Sequence, residues 1–112
     1  MTRLEKRWTN GMKTYKVRVL QSAEADIEAL ADFLYENLSR EGAYRYLEFM
    51  EQEVLSLSVY ANCFAESHSK TVLAIHPKAR RMVSHNHKWV YVFHIEEDSV
   101  LVDRILPSSS IK

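Results

Sequence analysis

One cysteine, two prolines and two glycines in 112 residues exclude several architectures at once. Cys63 has no partner for an intrachain disulfide, so packing must hold the chain together, as suits a reducing cytoplasm. The scarcity of Gly and Pro, with 46% hydrophobic residues, excludes a disordered or low-complexity chain and predicts a packed globule. No apolar run approaches the roughly 18–20 residues that a membrane span requires, so no membrane association is expected. The stretch Met1–Trp8 has no apolar h-region, and no secretory signal is expected. There is also no net charge, but the zero conceals an asymmetry. Residues 1–20 hold six Lys/Arg and one Glu, residues 21–60 nine acids and two Arg, and residues 61–112 seven bases and five acids. The strongly acidic middle between basic flanks bears on partners more than the total does.

What is present reads as one α+β domain. Residues 1–12 form an N-terminal extension without periodicity, containing the turn signal Asn10-Gly11, and Met12 stands as an alternative start. Tyr15-Lys16-Val17-Arg18-Val19 alternates apolar and basic residues, the period of a half-buried strand. Ser22 is placed as an N-cap, with Glu24 and Asp26 where a helix dipole favours negative charge. Ala23, Ile27, Leu30, Ala31, Leu34 and Leu38 then recur at helical spacing. After Asn37-Leu38-Ser39-Arg40, a second helix is predicted from about Glu41 to Val59, burying Ala43, Leu47, Met50, Val54 and Leu57. The short break makes the two helices an antiparallel hairpin. Residues 60–78 read as a connection in which Thr71–Ile75 is either a short strand or a packed loop.

Three runs rich in Val, Ile, Trp, Tyr and Phe follow, separated by Asn86-His87 and by Glu96–Ser99. They predict an antiparallel meander ended by Pro107 and the tail 108–112. The order is β-α-α-β-β-β, with the first strand joining the meander, the hairpin on one face and the other face open. The domain proper runs over 13–107.

Candidate chemistry is sparse. His85, His87 and His94 lack convergent Cys or carboxylate ligands at zinc spacing, so no metal is expected, and no cofactor motif occurs. Nothing places a base beside Cys63. The helix carboxylates fall on polar faces, where solvation is the default. Arg80, Arg81, Lys88 and Arg104 lie on or beside strands, and with Lys16 and Arg18 they form either a basic patch or scattered surface charge. A patch would hold phosphates or receive an acidic or amphipathic peptide.

Tyr15–Val19 followed by Ser22-Ala23-Glu24-Ala25-Asp26-Ile27 resembles the first strand and "A-x-x-D-L/I" helix start of the RelE/ParE toxin superfamily. Arg80–Val83, His87–Tyr91 and Asp98–Val102 resemble its "R-x-I … H-R-L-V-Y … D-x-L-x-I" strands. The resemblance covers about 13–107. It implies the toxin of a bacterial type II toxin–antitoxin module: cytoplasmic, growth-inhibiting, associated with plasmid stabilization, and held by a cognate antitoxin in a hetero-oligomer. Known members divide into ribosome-dependent mRNA endoribonucleases, which use basic sheet residues and a C-terminal Tyr or His, and ParE-like poisons of DNA gyrase, which lack that set. Here Lys88 stands at the "H-R-L-V-Y" arginine and lacks its planar fork. Leu106-Pro107-Ser108-Ser109 stands where one ribonuclease branch has "R-x-H-Y". These departures favour the ParE-like reading, with Arg81, Lys88 and Arg104 as the only catalytic candidates. Arg80, Arg81, Lys88 and Arg104 are the expected antitoxin or target contacts. The alternatives are a RelE-like ribonuclease acting on the ribosome and a non-toxic peptide-binding module. An acidic-to-amphipathic antitoxin segment is expected on the helical hairpin, reaching the basic strands.

Overall fold

The computed structural model describes residues 14–111. The elements are β1 (Lys16–Val19), α1 (Gln21–Asn37), α2 (Arg40–Tyr60), a 3₁₀ turn (Ala61–Cys63), the single-turn α3 (Lys70–Leu73), β2 (Arg80–Val83), β3 (Trp89–Glu96), β4 (Ser99–Pro107) and a closing 3₁₀ turn (Ser108–Ser110). The expected extension of residues 1–12 lies outside the described residues.

Ala23, Leu30 and Leu34 of α1 and Ala43, Met50, Val54 and Leu57 of α2 are buried as the periodicity predicts, while Ile27 and Leu47 are half-buried and Leu38, expected on the first stripe, is exposed past the end of α1. The break between the helices is chemically defined. Leu38 leaves the helix in an extended conformation with its N–H on the Leu34 carbonyl. Ser39 then caps α2 by accepting from the Gly42 amide at 3.0 Å. Ser39→Ala should therefore cost about 1 kcal/mol in urea unfolding, the usual value of a lost N-cap.

Ser22 does not cap α1. Leu20 occupies that position without a side-chain cap, and the Ser22 hydroxyl donates instead to the Asp103 carbonyl, 2.7 Å away on β4. A cap was legible as a residue type, but the partner that won lies 81 residues away.

The sheet order is β1-β4-β3-β2. β3 runs antiparallel to both neighbours, as the meander predicts, and β1 joins β4 in parallel. The β3–β4 register shifts between Val92 and Phe93, leaving Asp103 as an extra residue in β4. This bulge decides the parity of everything beyond it. Val100, Val102 and Ile105 all enter the core under the hairpin with Tyr91 and Phe93. On simple alternation Arg104 would share the face of Val100 and Val102; the bulge moves it off and gives that place to Ile105.

The second face is not open, contrary to the sequence expectation. Residues 64–79 strap across it. Val72 and Ala79 are fully buried on Val90 and Val92, with Ile75, Leu106 and Ile111 packed around them. Thr71–Ile75 is thus a packed segment, and its first residues form a helical turn rather than a strand. The strap is tied down by Ser67 N–H to the Ala79 carbonyl at 2.8 Å and a bridge between Glu66 and Arg80. Beneath it the His94 ring pairs with the Asp103 carboxylate, Nδ1 to Oδ2 at 2.7 Å, and stacks on His76 with centroids 3.7 Å apart. The alternating pattern of Val90, Val92 and His94 is apolar enough to need cover, which a connection without periodicity did not announce.

Candidate functional site

The four basic residues singled out from the sequence meet three different fates. The Arg80 guanidinium donates to the Phe64 carbonyl at 2.7 Å, fixing the strap. Arg104 grips Asp26 of α1 through Nε and Nη2 at 2.8 and 2.9 Å, and the same carboxylate accepts the Ile105 amide at 2.9 Å. β1 ends at Val19 opposite Val102, so among the described residues this stretch of β4 has no strand neighbour on that side. Ser22 and Asp26 supply the missing partners from a helix. The hydrogen bond with Asp26, set against partial desolvation, raises the affinity of Arg104 for its proton. Arg81 and Lys88 are exposed, with no side-chain partner among the described residues.

These cations form no continuous patch. Arg81 is opposite Val92 on β2, while Arg18 is opposite Leu101 on β1, so they sit at opposite edges of a four-stranded sheet. Three strand spacings separate them by about 14 Å, and the strap lies across the face between. His85 and His94 go to different places: His85 meets Phe49 edge-on, and His94 is engaged by Asp103 and His76. Cys63 is exposed on a loop hollow beside His68 and Arg81.

Sequence reasoning missed two arrangements. The first is a polar seam joining α2 to the β2–β3 turn. The Tyr46 hydroxyl accepts from Trp89 Nε1 at 2.8 Å and from Asn86 Nδ2 at 3.0 Å. Glu53 accepts the Tyr91 hydroxyl at 2.8 Å and the His85 amide at 2.7 Å. Tyr46, Phe49 and Glu53 recur at helical spacing, so one face of α2 clamps the turn. Burial first, and the Glu53 carboxylate second, push the Tyr91 phenol far above its ordinary range. Its neutral form is therefore favoured by folding. That stability is complete below roughly pH 10, where unfolded tyrosine ionises, and falls by about 1.4 kcal/mol per pH unit above it. Tyr91→Phe should lose about 1 kcal/mol at neutral pH and decline less steeply than the parent above pH 10, as read by urea midpoints across that range.

The second is an apolar groove of about 360 Å³ between the helical hairpin and the β1 edge. Val17 and Val19 form its floor, Ile27 and Leu30 one wall, and Leu47, Met50, Val54 and Leu55 the other. Lys16 and Leu20 donate their amides to Asp98 and Val102, so the ladder's alternation turns those of Val17 and Val19 away from β4, toward an open edge. Leu55 is 48% exposed there. The signal for this groove was available in part: both helices were read as amphipathic, but their stripes are wider than the sheet can cover.

A structure titled as the chromosomal ParDE TA system from P. aeruginosa superposes on this chain with a TM-score of 0.70. The fold is RelE/ParE-like. The match covers 84% of this chain and 96% of that one, at 19% sequence identity, a likeness that establishes the ParE-like fold alone. No protein-family model and no curated protein matches the sequence. Among the described residues no helix is long and apolar enough to cross a membrane.

Proposed function

We propose that this chain is the toxin of a type II toxin–antitoxin module, acting by binding a large target in the ParE-like manner rather than by cutting RNA. The observation that carries the choice is the fate of Arg104. A ribonuclease of this fold class needs cations free to face a phosphate, and here the guanidinium is engaged by Asp26 while the strap occupies the sheet face. Arg81 and Lys88, exposed and without a side-chain partner among the described residues, would contact a target or an antitoxin, and two cations on different segments support a binding surface better than a catalytic set. The groove is the place for the antitoxin: apolar lining would supply most of the affinity, and charges at its rim the register and on-rate.

Induced expression without antitoxin should arrest growth and raise a DNA-damage response. Purified protein should alter the supercoiling or cleavage activity of DNA gyrase. Unchanged gyrase activity removes the ParE-like assignment. Codon-linked mRNA cuts in translating ribosomes would establish the ribonuclease reading instead, and growth unaffected by expression would leave a non-toxic peptide-binding module.

A further inference from the structure

We infer that the groove takes a basic amphipathic helix, whose apolar face fills the hollow while Lys or Arg side chains on its flanks reach Glu24 and Glu51. The inference rests on the groove being the partner's docking site, and it reverses the acidic partner expected from the sequence.

Among the described residues lining the groove, Glu24 of α1 and Glu51 of α2 are the only charged ones, with no Lys, Arg or His beside them. Both are exposed, and neither has a hydrogen-bond or ion-pair partner among the described residues. Glu28 continues the acidic rim one turn along α1, in a hollow shared with Gln21 and Glu24. The wider field agrees, because residues 21–60, which supply both helices, carry nine acids and two Arg. An acidic segment entering here would meet like charge on both walls and, among the described lining residues, no cation to answer it. A basic one would be steered in by the same field. The apolar lining sets the other half of the requirement. Ile27 and Leu30 face Leu47, Met50, Val54 and Leu55 across the hollow, a pair of helical walls suited to the i, i+3, i+4, i+7 anchors of a third helix. Glu24 and Glu51 are on this account specificity-determining residues: they add modest affinity as exposed charges and discriminate by repulsion.

Two synthetic amphipathic peptides with identical Leu and Met anchors, differing only in carrying Lys or Glu at the flanking positions, test this directly. Their affinities are measured by calorimetry against the full chain and its E24K/E51K variant. The Lys peptide should bind the parent roughly tenfold more tightly than the Glu peptide at low salt, and the preference should invert in the variant. Both rim substitutions are on exposed helix positions, and an unchanged urea midpoint will show that the variant folds. Equal affinity of the two peptides, a preference that survives charge reversal, or no binding of either overturns the inference. Binding that emerges only after removal of residues 1–13, or only on dissociation of a dimer, assigns the groove to the chain itself and overturns it too. A protein inert in the growth and gyrase assays that still shows the invertible preference loses the toxin reading and keeps this one.

Discussion

Asp26→Ala should destabilise the protein by about 2–4 kcal/mol, the cost of removing a carboxylate that satisfies both a guanidinium and a backbone amide. Asp26 accepts three hydrogen bonds, two from Arg104 and one from the Ile105 N–H. Its side chain is only 17% exposed, so water replaces it poorly; that of Arg104 is 39% exposed, and solvent screening discounts the charge contribution. Most of the loss should therefore come from the Ile105 amide, left beside a helix with no acceptor at an unpaired strand edge. Asp26→Asn, which keeps an acceptor for that amide, should recover about half. If urea unfolding shows Asp26→Ala within about 0.5 kcal/mol of the parent, the α1–β4 junction does not depend on this residue. The same geometry constrains functional tests. Arg104→Ala would loosen the junction before it reported on any partner, so the charge-neutralising pair that tests target contact is Arg81→Ala with Lys88→Ala.

The second large effect is expected at Asp103. Its carboxylate and the His94 ring are both buried, at 7% and 5% exposure, and they meet at 2.7 Å beneath the strap. Removing one member of a buried hydrogen-bonded pair exposes the other to the full desolvation penalty, so Asp103→Ala should cost about 2–3 kcal/mol. His94 also stacks on His76, whose Nδ1 accepts the Lys78 amide, so the damage should spread into the strap. Hydrogen exchange of the amides of Ala79 and Ser67 should accelerate in the variant while those of α2 change little. Asp103→Asn retains an acceptor for Nδ1 and should lose about 1 kcal/mol. Uniform exchange across the molecule would mean that the strap opens only with global unfolding.

The sequence by itself determined the element order, both helical stripes, the three strands of the meander and the turns between them. Each is a local matter: the period of Ala23, Leu30 and Leu34, the break at Asn37–Arg40, or Asp98 between two β-branched runs can be read within a few residues. The RelE/ParE-like frame was legible through the resemblance of Tyr15–Ile27, Arg80–Val83, His87–Tyr91 and Asp98–Val102 to that superfamily's motifs. The roles of the charged residues were not legible, because they depend on a partner far along the chain. Asp26 looked like a dipole-favouring acid and became the clamp of Arg104, 78 residues on. Ser22 looked like a cap and became a strand partner. Strand alternation predicted the wrong company for Arg104, because one extra residue in β4 inverts the parity beyond it and nothing in Val102-Asp103-Arg104-Ile105 announces a bulge. The cover over the second face was equally hidden, since residues 64–79 have no period of their own and are held by what they pack against. Only tertiary structure decided which cations are free, which face is closed and where an apolar groove is left. Those are outcomes of competition between distant groups for the same surface, and no window of sequence contains both competitors.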